Sequence, residues 1–493
     1  MEYMRPGHFY ARLLDHLPWK SAESTVSPDP DPRKTARWID GLSGLAALLV
    51  VVSQIVQAWD YSLLSPADDE WSSSQLLQWP ILRVPWQGRI GIAVFAFQTG
   101  YMCALKPIQL SRTDSPLAVF TSVAKAAFRR LPQIVLPATI VLVLSWVVAQ
   151  FGAFTVASRS DSLWCRSTAP VVEDSLWAET VRLVQNFLST WTTGVMEYDA
   201  SQWVLLPLLK ASILVYLLLC ATVFVKLHWR ALIYLLMFLY FHQDAYDYTE
   251  TFPMQAVYGL FLADLSYEDS FEPSIERHPI TRKIVAAILA FAGLFIASYP
   301  GEHPEWASWS NSMLSAAYYL FPADVDIPRR YTALGLDLVI LAIYISPTTR
   351  KILSRGLFTW LGKQSFAVYL LHGTLLRTVL CWMLYGISGQ PWHGEIVDGN
   401  GNPIYDEDGE PMHPHWIARR PSWVVAICVP VWIALVYLSA ALWTAYMDPF
   451  CGMVVRKLET AMSERGASES ESESEDMVPA IQLDTMPTSR HNP

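Results

Sequence analysis

Titratable side chains are scarce inside the long apolar stretches of this chain, so those that do lie there mark where chemistry could occur. Lys210 interrupts one such stretch, Asp337 lies in another, and Lys363, His372 and Arg377 share a third. A polar group in hydrocarbon costs several kcal/mol when unsatisfied, so each is a functional candidate. From Ser365 to Tyr369 is four residues, to His372 three more, and Gly373 is four beyond Tyr369, which aligns them on one helical face. The imidazole of His372 titrates near neutrality and can take a proton from a hydroxyl. A structural alternative has equal standing here: His372 hydrogen-bonds a neighbouring carbonyl, and Arg377 pairs with Asp337 or another carboxylate.

The elements that must hold these groups are membrane helices. Of the 493 residues, 52% are hydrophobic and only 16% charged. Gly41 to Trp59, Leu131 to Ser158 and Ser422 to Met447 contain no Asp, Glu, Lys or Arg. A helix needs roughly 20 such residues to cross about 30 Å of hydrocarbon. Shorter or interrupted runs at Ile90–Leu105, Trp203–Val225, Trp229–Ala245, Phe252–Leu265, Ile284–Tyr299, Leu334–Ser346 and Phe358–Tyr385 supply the rest. The expected fold is all-α, an integral membrane bundle of about ten transmembrane helices. Domain organisation follows: a tail over 1–37, a membrane domain over 38–455, and an acidic disordered tail over 456–493, whose Ser-Glu repeat at Ser468–Glu475 is too charged to bury.

Lys and Arg concentrate in every second connection: Arg33, Lys34 and Arg37; Lys106 to Arg130; Lys226 and Arg230; Arg277 to Lys283; Arg350 to Arg355; Arg456 and Lys457. Cytoplasmic loops retain such an excess, which predicts both termini in the cytoplasm of an endomembrane or plasma-membrane protein. Arg329, Arg330, Arg419 and Arg420 are exceptions to the alternation. No removable signal peptide is evident in the first 37 residues. Only Cys165 of six cysteines falls in a predicted outer loop, so no disulfide framework is expected.

The net charge of −10 and the lack of basic patches argue against nucleic-acid binding. No G-x-S-x-G and no Gly-rich phosphate loop is present, against a serine hydrolase or a kinase. The acidic stretch Asp398–Gly409 lacks EF-hand spacing, and His393, His413 and His415 lack partners at metal-ligand spacing, so no metal is expected.

Several segments together resemble the acyltransferase 3 family. Asp40 to Val50 (DGLSGLAALLV) is similar to its helix-1 signature; Gly100-Tyr101 with Lys106-Pro107, and Phe128 to Pro132, resemble the next two helix entries. Tyr198-Asp199 before Trp203 matches the approach to the fourth span, and Leu361 to Gly373 (LGKQSFAVYLLHG) is similar to the LGxxSFxxYLxHG of the ninth. The resemblance implies an integral membrane enzyme that moves an acyl group from a donor such as acyl-CoA to a hydroxyl, with no bound cofactor. It places the family's helix-1 Arg and His at Ser43 and Gln54, eleven residues apart and so within about 20° of one face. Gln can hold a hydroxyl but cannot take its proton. Leu208 and Lys210 occupy the family's Glu and Arg positions of the fourth span. The candidate catalytic residues are therefore His372, Gln54, Ser43 and Lys210, with Glu197 or Asp199 as alternative carboxylates. Arg129 and Arg130 are candidates for the anionic donor, and Tyr101, Trp203 and Tyr369 for other substrate contacts. Three readings stay open: acyl transfer to a lipophilic or small-molecule acceptor, an isomerase or cyclase built on the same scaffold, and a silent membrane partner.

Overall fold

Each of the ten apolar segments forms a helix in the computed structural model, which describes residues 32–113, 116–243, 251–268, 277–386, 390–391 and 416–462. In chain order the helices are α1 (Pro32–Trp59), α2 (Gly88–Thr113), α3 (Pro116–Gln150), the short α4 (Leu163–Thr168), α5 (Leu176–Thr192), α6 (Leu205–Thr222), α7 (Leu227–Gln243) and α8 (Thr251–Leu265). There follow α9 (Pro279–Ala297), α10 (Ser308–Leu320), α11 (Ile327–Ile345), α12 (Pro347–Leu353) and α13 (Gly356–Leu375). A π turn, Leu376–Leu380, carries α13 into α14 (Cys381–Tyr385), and α15 spans Ser422–Met462. One antiparallel ladder pairs Gln390–Pro391 with Ile417–Ala418. The acidic stretch at 398–409, the three loop histidines, and residues 1–31 and 463–493 of the two tails lie outside the described residues, while 32–37 and 456–462 continue the first and last helices.

The architecture is an all-α membrane bundle, but the expected ten spans are not reached among the described residues. Six are long and apolar enough to cross a membrane: α1, α3, α6 with its 3-10 entry, α9, α13 with α14, and α15. Counting α11 with α12, bent by 99° between them, makes seven. The shortfall has a physical cause. α2 carries Arg89, Lys106 and Arg112, and at 1.5 Å per residue α7 and α8 reach only about 26 and 23 Å. α8 is apolar because it is a core helix: eleven of its residues, from Thr251 to Asp264, are buried.

α1 is the central helix. Of its most apolar window 72% is buried in protein, against 11% for α9 and 22% for α15, whose outward Ile284, Ile288, Phe291, Ile427 and Val431 fit a lipid face. Small residues let α1 cross α13 closely, as in other membrane bundles. A Cβ on Gly44 would sit 2.6 Å from the Gly362 nitrogen, and one on Gly362 would sit 2.0 Å from the Asp40 carbonyl. The two best-matched sequence segments, around Asp40 and around Leu361, are thus each other's packing surface.

α5 turns its polar side inward and its apolar side out. Glu179, Asn186 and Thr190 are buried while Leu176, Trp177, Val184 and Leu188 are exposed. Glu179 accepts from the Tyr198 hydroxyl at 2.6 Å, the Gln150 amide at 2.9 Å and the Glu173 backbone N–H at 2.8 Å, with Arg182 at 3.2 Å. Burial acts to raise its pKa, but these donors outweigh it and hold the carboxyl below the usual range. Its folded value lies below the unfolded one, so its stabilisation is complete above the ordinary carboxylate range and is lost as pH falls through the lowered value. Hydrogen exchange over 176–192 should therefore lose protection on acidification below about pH 4. Glu179→Gln should remove most of that dependence; an unchanged profile in the variant would refute the assignment.

Candidate active site

The apolar helix α1 carries three polar side chains in its last two turns: Ser53, Gln54 and Gln57. All three face a cavity of about 340 Å³. Its walls are the first turns of α2, α8 and α11, together with Trp203 from the 3-10 turn Ala200–Val204 and the segment Gly301-Glu302. Trp203 meets Phe252 edge-on at 5.8 Å, and the Arg329 guanidinium lies 4.9 Å from the indole ring, so one wall is aromatic. Polar groups rim the opening. Asp326 caps α11 and pairs with Arg329 at 3.0 Å, Glu302 accepts from the Tyr61 hydroxyl at 2.7 Å, and Arg89 donates to the Tyr299 carbonyl at 3.2 Å. The lining is mixed: Gln54, Gln57, Gln87, Arg89, Glu302 and Asp326 face the same space as Val50, Leu64, Ile92 and Phe252, which suits a small organic molecule bearing hydroxyl or other polar groups.

Behind Gln54 lies a buried polar chain. The Gln54 Nε2 donates to Ser201 Oγ at 2.9 Å, and the Ser201 N–H donates to Asp199 Oδ1 at 3.1 Å. Asp199 also forms an ion pair with Arg377; both are fully buried, and Asp199 caps the Ala200–Val204 turn. Arg377 is held further by the carbonyls of Gly373 at 3.0 Å and Thr168 at 2.9 Å. Gly373 is required by this approach: a Cβ there would lie 2.3 Å from Asp199 Oδ1. On the same face of α13, Tyr369 donates to the Ser201 carbonyl.

His372, also fully buried, directs Nδ1 at the carbonyls of Val368 (3.0 Å) and Tyr369 (2.8 Å). Carbonyls only accept, so the Nδ1 carries a proton, and in the neutral form of the ring the lone pair is on Nε2. That Nε2, Gln54 Oε1 and Gln202 Oε1 are buried and have no hydrogen-bond partner among the described residues. Buried acceptors are normally satisfied, and of these three only Gln54 lines the cavity, where its Oε1 is suited to a hydroxyl, a water or an N–H from outside the chain.

The sequence-derived candidates therefore separate. Gln54 and Trp203 line the cavity, and Tyr369 and His372 stand behind it on α13. Ser43 shares the α1 face with Gln54 but lies three turns deeper, its hydroxyl donating to the Ile39 carbonyl at 2.8 Å. Tyr101 packs against Trp38 and Phe97. Arg130 is buried, donating to Ser212 at 2.8 Å and Thr99 at 3.3 Å, whereas Arg129 reaches Glu459 of α15 at 2.7 Å. Lys210 is exposed on the outer side of α6, away from the cavity lining, and Leu208 is buried. Glu197 is engaged by Arg182 at 2.6 Å. Sequence reasoning paired Arg377 with Asp337 or another carboxylate; the partner is Asp199. It did not single out Ser201, Gln202 or Arg89, and no periodicity marks them, since the first two sit in a turn and the third at a helix start.

With the geometry in place, comparisons with known proteins place the chain. The acyltransferase 3 family model, described as an acyltransferase domain, matches residues 36–439. The chain belongs to this family and is a multi-pass membrane protein of the acyltransferase class. Among curated proteins it is similar to an acyltransferase of a Phoma species, 22% identical over 73% of this chain and 88% of the relative. An acyltransferase of Cochliobolus lunatus is 23% identical over 71% of this chain and 84% of its own. An O-acetyltransferase of Phomopsis amygdali is 23% identical over 69% and 72% respectively. No solved structure matches.

Proposed function

We propose that the protein transfers an acyl group from an acyl-CoA-type donor to a hydroxyl of a small or lipophilic acceptor bound in the cavity at the end of α1. The observation that carries this reading is Gln54, at the family's base position, on the cavity wall and joined through Ser201 to the buried Asp199–Arg377 pair. The O-acetyltransferase among the relatives supports a hydroxyl acceptor and a short acyl group. The Oε1 of Gln54 accepts from the acceptor hydroxyl and orients it. His372, with its free Nε2, takes the proton as the oxygen attacks the thioester carbonyl, and the CoA thiolate leaves. Arg129 and Arg130 lie mid-way along α3, the first paired with Glu459 and the second buried against Ser212 and Thr99, so an anionic donor would have to displace Glu459 to reach Arg129. The alternation of basic connections supports an orientation with both termini cytoplasmic and the cavity opening on the opposite face.

The test is acceptor-dependent release of CoA by purified protein, read with a radiolabelled acyl donor and a panel of hydroxylated acceptors. Gln54→Ala should lower kcat/KM for the acceptor roughly tenfold, the worth of one hydrogen bond. His372→Gln should lower kcat by about 10²-fold or more while acceptor binding persists. Turnover unaffected by both changes would refute the site. No turnover with any acceptor, but turnover created by Gln54→His with Leu208→Glu, would return the reading of a silent membrane partner.

A further inference from the structure

The structure assigns a disulfide-forming site to Cys165 and Cys381, a covalent strap across the end of the bundle that holds Asp199 and Arg377. Only Cys165 looked accessible to such chemistry in the sequence, because Cys381 falls within an apolar run. The fold brings them together across 216 positions of chain: the two Sγ atoms are 4.0 Å apart and both residues are fully buried. Both are thiols in this structure.

What places Cys165 there is a set of polar ties on α4. Ser162, which caps the helix through the Cys165 N–H at 3.2 Å, donates its hydroxyl to the Ala58 carbonyl of α1 at 2.6 Å. At the other end of α4 the Thr168 carbonyl accepts from Arg377, and Asp161 just before it accepts from the Tyr385 hydroxyl at 2.5 Å. The backbone around Cys165 is thus tied to α1, the π turn and α14. A disulfide needs sulfurs about 2.05 Å apart, so the two Sγ atoms must approach by about 2 Å for the bond to form. The pair sits at the end opposite the Lys/Arg-rich connections. On the orientation proposed above, that end faces away from the reducing cytosol, toward an oxidising compartment in which disulfides persist.

The bond forms by exchange with an oxidised thiol donor such as glutathione disulfide or an oxidised thiol isomerase. The Cys165 thiolate attacks one donor sulfur and releases the other as a thiol, and the Cys381 thiolate then attacks Cys165 Sγ and releases the second. Two protein thiols lose two electrons and two protons, and the donor disulfide becomes two thiols. Full burial dates the exchange to folding, before α4 closes, and shields the finished bond from later reduction. The cross-link encloses α5 to α13 in one covalent loop and fixes α4 against Arg377.

The experiment uses the full chain, expressed in a eukaryotic secretory membrane and denatured in detergent with a thiol-blocking maleimide before any reductant. After reduction, a mass-tagged maleimide should add two tags to the wild-type chain and none to Cys165→Ser or Cys381→Ser. Peptide mapping of unreduced protein should find the peptides bearing the two residues joined, lighter by two hydrogens. Because the tag count is read on denatured protein, it does not depend on whether the variants fold well. Zero tags on wild type, or two tags retained in the Cys165→Ser, Cys381→Ser double variant, would overturn the assignment.

Discussion

Replacing Arg377 by leucine is expected to cost about 3–5 kcal/mol of stability, because it strands a fully buried carboxylate without its charge partner. Asp199 would keep the Ser201 N–H at 3.1 Å and the weaker contacts from Gln202 at 3.4 Å and Thr374 at 3.5 Å, none of which carries charge. Its relaxation would reach the proposed site, because Ser201 holds Gln54. Arg377→Leu should therefore lower the thermal midpoint of the detergent-solubilised protein and abolish acyl transfer. Replacing both partners, as Arg377→Leu with Asp199→Asn, should recover much of the lost stability, since no unpaired charge remains. The same measurement separates roles: if stability returns and activity does not, the pair positions the site. If the single change leaves the midpoint in place, the ion pair is not the anchor proposed.

Gly362→Val should be comparably severe for a different reason. Even the first added carbon would lie 2.0 Å from the Asp40 carbonyl oxygen, which is backbone and cannot rotate away. α13 would have to withdraw from α1, opening the close crossing that also depends on Gly44. We expect a loss of about 3 kcal/mol or more, at the upper end for overpacking, read as aggregation in size-exclusion chromatography after solubilisation. Gly152→Ala offers a contrast. That glycine has φ +71° at the end of α3, and an added Cβ would meet only a Thr155 methyl at 3.5 Å. Its cost comes from backbone strain alone, about 1 kcal/mol. Equal destabilisation by the two substitutions would refute the packing argument.

The two glycine sites show how differently sequence and structure carry information. The Asp40–Val50 and Leu361–Gly373 segments are legible as a family resemblance, yet nothing in either string says that they touch. The ninth span illustrates the same limit within one helix. Its face of Ser365, Tyr369, His372 and Gly373 follows from periodicity, and the expected bond from His372 to a neighbouring carbonyl is present. The partner of Arg377 could not be read from the chain, since Asp199 is 178 residues away and sits in a turn rather than on a helix face. Lys210 shows the converse. Its place in an apolar run suggested burial, but a single charge at the outward side of a helix projects from the bundle instead, its long stem carrying the head away from the packed core.

Apolar runs long enough for membrane helices, their positions along the chain, and a string of motifs shared with membrane acyltransferases define the class of molecule. These are local properties, set by hydrophobic length and helical period, so no knowledge of contacts is needed to read them. The burial of α8 in the core and the place of the cavity emerge from the fold alone. The fold also drew Gln54, Ser201, Asp199 and Arg377 into one chain and brought Cys165 to Cys381. Each of those joins residues far apart in sequence through packing that minimises buried unpaired groups, and that optimum belongs to the whole bundle rather than to any one segment.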